Sequence, residues 1–127
     1  MNRQILFRGK RIDNDEWAEG YLFKIWNRTF ILWGMTGDVP NMVEVIPETV
    51  GQYTGLTDKN GKKIFEGDIV KVTTGIEGYR STYHSVIQKV RYEANSGIAV
   101  FLPFDNSDMV EVEVIGNIYD NKEKQND

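Results

Sequence analysis

Val110-Glu111-Val112-Glu113-Val114 alternates apolar and acidic residues without a break. Successive side chains of a strand point to opposite faces, so this segment reads as a half-buried strand, its three valines in a core and its glutamates in water. Gly116 interrupts the alternation, and Ile118 and Tyr119 resume it. Upstream, similar strand signals recur in short pieces. Ile69-Val70-Lys71-Val72 is rich in β-branched residues, and further arms lie at residues 86–92 and 98–101 around the turn Glu93-Ala94-Asn95-Ser96-Gly97. Asp58-Lys59-Asn60-Gly61 is the strongest turn of the chain, because Asn-Gly readily supplies the positive φ of a tight hairpin at one or both residues. Short strands at this turn-separated spacing predict a small barrel or sandwich.

The first third is stranded in a different way. Residues 17–33 read WAEGYLFKIWNRTFILW and hold all three tryptophans, Trp17, Trp26 and Trp33, with Tyr21, Phe23 and Phe30. Asn27-Arg28 is the one polar break, which predicts a hairpin with arms at residues 20–26 and 29–33. Leu22-Phe23 and Phe30-Ile31-Leu32-Trp33 place apolar groups on both faces, so the ribbon needs cover on both sides. The domain's own core supplies both covers, or a second subunit supplies one; Trp26, Phe30 and Trp33 are the candidate interface. Gly34-Met35-Thr36-Gly37-Asp38-Val39-Pro40-Asn41 reads as a loop, and Val43-Glu44-Val45-Ile46 as a short strand closed by Pro47. Pro47-Glu48-Thr49 reads as a turn or single helical turn at the join between two lobes. The expected organisation is mainly β, with an N-terminal β-rich lobe over 1–48, a connecting segment over 49–60, a small barrel over 61–120 and a flexible polar tail over 121–127.

At 127 residues and 40% hydrophobic composition the chain has room for one moderate core or two small ones and is too apolar for disorder. It has no cysteine, which removes disulfides, thiolate zinc sites, iron–sulfur clusters and a cysteine nucleophile. Ile5-Leu6-Phe7 is too short an apolar run for a signal peptide, and no run approaches the roughly 20 residues of a membrane helix, so the expected address is the cytosol. The formal charge is −4, with six basic and seven acidic residues through Glu48 and nine and twelve after it. Neither part is a basic domain of the kind nucleic acid usually selects. Arg8-Gly9-Lys10-Arg11 is the densest basic patch, and four such residues more often form a solvated turn than a phosphate site. Arg8, Lys10, Arg11, Lys62 and Lys63 form the candidate nucleic-acid patch.

Several chemistries are suggested and fail on spacing. From Gly55 to Lys63 the chain imitates a phosphate loop, but five residues separate Gly55 from Gly61 and Lys63 stands where a hydroxyl belongs. A calcium loop aligned on Gly61 would use Asp58 and Asn60, yet Leu56 and Gly67 fall where the first and last acidic ligands belong. No metal, cofactor or catalytic residue is therefore assigned. His84, the only histidine, lies in a polar stretch where an idle exposed role is commoner than a catalytic one. Glu48, Glu66 and Asp68 have structural roles available: Asp68 accepting backbone N–H groups in its turn, Glu48 capping a first helical turn.

Gly67-Asp68 feeding Ile69-Val70 resembles the entry to the first long strand of SH3-like barrels. Phe7-Arg8-Gly9-Lys10, Trp17 with Gly20-Tyr21, and the block from Val45 to Leu56 resemble the YopX family of small, mostly-β cytoplasmic proteins carried by bacteriophages and other mobile elements. So do Asp58-Lys59-Asn60-Gly61-Lys62, Ile64-Phe65-Glu66-Gly67-Asp68-Ile69-Val70 and Glu113-Val114-Ile115-Gly116-Asn117-Ile118-Tyr119. The chain departs from the family only after the last strand, with Asp120-Asn121-Lys122 where Asn-Pro is frequent. The resemblance implies a β-rich lobe packed on an SH3-like barrel and self-association, and it supplies no catalytic residues. The expected function is a phage or prophage accessory protein acting as a self-associating interaction or assembly module, with an unidentified phage or host protein as a further partner. A nucleic-acid-associated accessory protein is the alternative, and a small hydrolase the third reading.

Overall fold

The computed structural model describes residues 5–95, 98–104 and 108–120. The chain divides into two compact units, Met1–Gly55 and Leu56–Asp127. Both are mainly β, as the strand periodicity implies.

The first unit is an antiparallel sheet in the order β4-β3-β2-β1-β5, where β1 is Phe7–Lys10, β2 Trp17–Ile25, β3 Arg28–Thr36, β4 Val39–Glu44 and β5 Gly51–Thr57. Phe7↔Gly20 and Gly9↔Ala18 pair across β1 and β2, and Leu22↔Ile31 across β2 and β3. That register gathers Ala18, Ile31 and Val45 as a core, with Phe7, Leu22, Val43 and Val50 packed against it. Two close approaches fix glycines here. A Cβ on Gly20 would lie 2.3 Å from the Leu32 carbonyl oxygen, and one on Gly9 would lie 2.9 Å from Val45. Pro47–Thr49 is a single 3-10 turn, where Thr49 Oγ1 accepts the Lys10 N–H at 2.9 Å and donates to the Ile46 carbonyl.

Residues 34–41, expected as a loop, are largely strand. β3 runs on to Thr36, the chain turns at Gly37-Asp38, and β4 returns from Val39. Gly37 supplies the positive φ of that turn, and Pro40 is tolerated because β4 is the edge strand. Trp33 is the extra residue of a β-bulge between Leu32 and Gly34.

The second unit contains the three-stranded antiparallel sheet β11-β7-β8, with β7 Asp68–Ile76, β8 Tyr79–Lys89 and β11 Met109–Asn117. β9 (Arg91–Asn95) and β10 (Ile98–Leu102) form a separate hairpin. Short β6 (Lys63–Phe65) follows the 58–62 turn at the end of β5. Ile64, Val70, Val72 and Val90 are the buried core, with Phe104, Met109, Val112 and Val114 against it. These ladders do not join into one closed barrel among the described residues. The turn over residues 93–97 includes Ser96 and Gly97, and these, like the tail 121–127, lie outside the described residues.

The valine alternation is interrupted. Bulges fall between Met109 and Glu111 and between Val114 and Gly116. Val112 and Val114 pack on the core as expected, whereas Val110 is the extra residue of the first bulge and is not among the valines that pack there. A bulge sets two residues against one, so the alternation slips by one place at each.

Candidate functional site

Alternation divides the residues of β1 to β4 between two faces. One carries the core; the other carries Tyr21, Phe23 and Ile25 from β2, Phe30 and Leu32 from β3, and Met42 from β4. The register aligns them in rows, Phe23 beside Phe30 and Tyr21 beside Leu32 beside Met42. Phe23 and Phe30 stack with centroids 5.1 Å apart. Arg28 sets its guanidinium 5.2 Å above the Phe30 ring and donates from Nε and Nη2 to Glu44 Oε1, at 3.1 and 2.7 Å. That hydrogen bond and the Arg28 charge hold the Glu44 carboxyl below its ordinary value. Phe30 is thereby only 8% exposed, so its place in the candidate interface is internal support rather than contact. Tyr21 is 64% exposed, with Ile25, Met35 and Met42 also open to solvent.

The hairpin tip is unusual. The turn falls on Trp26-Asn27, one residue before the expected break, with φ of 51° and 64°. Two consecutive positive values define the turn whose twist matches a two-residue hairpin, and Asn or Gly is the residue type it prefers. Asn27 fits. Trp26 does not, since a bulky side chain in the left-handed region costs about 1–2 kcal/mol. Moving the turn by one residue shifts the cross-strand pairing by two places and leaves the faces unchanged: the observed register sets Leu22 directly opposite Ile31, where the expected one would set Lys24 there. Trp26 is 84% exposed, the most open large apolar residue described.

At the other end of β2, Trp17 forms a platform. Arg8 sets its guanidinium carbon 4.4 Å from the indole centroid, and Lys10 its ammonium at 5.8 Å. Arg8 and Lys10 are buried, so the basic patch read from sequence is a strand, not a solvated turn. Arg11 is spent on Asp13, donating from Nε and Nη2 to both carboxylate oxygens at 3.0 and 2.8 Å. That hydrogen bond holds the Asp13 carboxyl below its usual value and raises Arg11. Trp33, re-aimed by its bulge, joins Trp17, Arg11, Glu16, Ala18 and Glu19 around an open cleft of about 380 Å³. Trp33 is 51% exposed. Tyr21 and Met42 were missed as face residues, although the small residues Ala18 and Gly20 opposite them mark the core side of β2.

In the second unit the carboxylates are structural. Asp58 Oδ1 accepts the N–H groups of Asn60 and Lys62, and Oδ2 that of Val114, each at 2.9 Å. Burial pushes the Asp58 carboxyl up, but the hydrogen bonds from Val114, Lys62 and Asn60 outweigh it and hold the group below its ordinary value. Asp68 Oδ2 accepts the Phe65 N–H at 2.8 Å, the role expected of it. Glu48 sits in the first turn of its 3-10 segment, which has no side-chain cap. Gly61 alone carries the positive φ of its turn, at 80°. Lys62 and Lys63 are exposed, and His84 is an exposed residue of β8 opposite Thr74. Among the described residues no three His, Asp or Glu side chains gather as a metal site, and no helix is long and apolar enough to cross a membrane.

These features define a class: a small all-β protein of two units, with an open aromatic sheet face in the first and a carboxylate-pinned turn in the second. The YopX protein family matches residues 6–124, nearly the whole chain, and the chain belongs to that family. It is also similar to the crystal structure of protein EF1440 from Enterococcus faecalis, at 22% identity and a TM-score of 0.48, over 97% of this chain and 99% of that one. No curated protein matches it.

Proposed function

We propose that the protein is an interaction module that self-associates through the outer face of β2, β3 and β4. The observation that carries this reading is Trp26. A large indole stands almost fully exposed at a backbone position that disfavours it, and strained residues cluster where a structure is used. Beside this turn the outer face of the sheet offers Tyr21, Ile25 and Met42, and aromatic side chains dominate the centres of specific interfaces. A two-fold contact would let each copy's face meet its own kind. The setting proposed is the host cytosol during the life of a phage or prophage, which the resemblance to mobile-element proteins and the lack of cysteine support. Two of the five cations proposed for nucleic acid are buried and a third is paired with Asp13, so geometry favours the protein-contact reading.

Light scattering on a sizing column across micromolar concentrations tests it. The expected result is an oligomer that Trp26→Asn shifts toward monomer. A strict monomer throughout that range defeats the proposal.

A further inference from the structure

We propose that β8 is a docking edge for an extended, acid-flanked segment of a different protein, added as a fourth strand to the β11-β7-β8 sheet. β8 is the outer strand, hydrogen-bonded to β7 on one side and, among the described residues, to no strand on the other. It is eleven residues long, well beyond the usual five or six. An edge of this length is a template for another chain, and proteins commonly blunt it with proline, a bulge or a covering element. β8 contains no proline or glycine; its register with β7 is regular from Ile69↔Lys89 to Thr74↔His84 and shifts before Ile76↔Tyr79, so the regular part of the edge is residues 84–89. Most of its side chains are exposed, with Val86 and Ile87 open on opposite faces of the strand.

The charge pattern selects the occupant. Arg80 and Lys89 stand near the two ends of β8, both exposed, and the strand has no carboxylate. Lys71 of β7 stands between Ile87 of β8 and Glu113 of β11, so its charge is matched within the sheet and the cations left to an incoming strand are Arg80 and Lys89. Two copies pairing along β8 would bring Arg80 and Lys89 of both together on a strand that has no carboxylate, so the edge disfavours its own kind. An extended segment with Glu or Asp at its ends and Val, Ile or Thr between them supplies backbone hydrogen bonds, an apolar neighbour for Val86 and Ile87, and a carboxylate near each cation. Strand addition draws affinity from the main chain and selectivity from such side-chain matches.

The probe is a synthetic peptide of about ten residues, Glu-flanked with a Val/Thr centre, titrated into the full chain while amide exchange along β8 is followed. Binding should protect alternate β8 amides. Replacing the peptide's Glu by Lys, or N-methylating alternate backbone nitrogens, should each weaken it by roughly tenfold or more. The exposed double variant Arg80→Glu with Lys89→Glu should reverse the preference to the Lys-flanked peptide and leave self-association through the Trp26 face unchanged. An N-methylated peptide that binds equally well, or binding without β8 protection, overturns strand addition. A dimer that survives Trp26→Asn and protects β8 amides without peptide overturns the choice of occupant and assigns the edge to a second copy.

Discussion

Asp58 shows how one residue organises the second unit. Its carboxylate closes the 58–62 turn through Asn60 and Lys62 and reaches Val114 of β11, while the Lys59 N–H donates to the Val112 carbonyl at 2.9 Å. Asp58→Asn keeps the shape but turns an amide N–H₂ or a weaker carbonyl toward three backbone donors. It should cost about 1–3 kcal/mol in urea unfolding, the range for a buried donor left unmatched. The pH dependence follows from the sign of the shift. A carboxyl held lower in the folded state stabilises fully above its unfolded value near 3.9, and that contribution disappears as pH falls through the lower folded value. The wild type should therefore lose stability through that acid window more steeply than Asp58→Asn; parallel acid-unfolding curves would show the carboxylate is not the cause. Gly61→Val meets open space but must hold φ near 80°, so it should cost about 1–2 kcal/mol from backbone strain alone. The Asn-Gly pair made this turn legible in sequence. The reach of Asp58 to Val114 was not, because it spans 56 residues of chain.

At the scale of the element, β11 and the β2–β3 hairpin teach the same lesson from opposite sides. Period-two alternation identified β11, yet bulges are invisible to a pattern that counts every second residue. The structure separates two valines that look equivalent in sequence. Val112→Asp places an unpaired carboxylate against the Val70 and Val72 core and should unfold the second unit, whereas Val110→Asp, on the bulge, should leave its melting nearly unchanged. Equal losses from both would mean that Val110 also belongs to the core. In the hairpin the arms were legible from aromatic and β-branched runs, but the turn lay one residue earlier than its polar break suggested. The observed register pairs Leu22 with Ile31 instead of Lys24 with Ile31, and it places Trp26 at a turn position that its side chain disfavours. Trp26→Asn restores a favoured turn residue, so it should raise the stability of the first unit by about 1 kcal/mol while weakening self-association. A hairpin less stable in that variant would show that the indole is packed, not presented.

For the whole molecule, composition and period identified an all-β chain in two parts, while the candidate site was legible only in outline. The aromatic cluster of residues 17–33 announced itself, but what each side chain meets depended on cross-strand neighbours: Phe30, on the same face as Tyr21 and Met42, is covered by Phe23 and Arg28, while Tyr21 and Met42 stay exposed. The basic patch failed for a related reason: charge counting cannot show that Arg8 and Lys10 lie against an indole. Net charge then gives a test of how copies associate. Each copy carries −4, so two copies repel at low ionic strength, and a contact made by Tyr21, Ile25, Trp26 and Met42 has little charge attraction to set against that repulsion. Salt screens the repulsion without weakening apolar burial. Self-association should accordingly strengthen or hold constant as salt rises from about 0.05 M to about 0.5 M, where the Debye length shrinks several-fold. Binding of an acid-flanked peptide to β8 should fall over the same range, since Arg80 and Lys89 lose their reach. Light scattering and peptide titration in the same buffers read the two effects side by side. Dissociation of the oligomer by salt would mean that ion pairs hold it, and the aromatic face would lose its assignment as the contact.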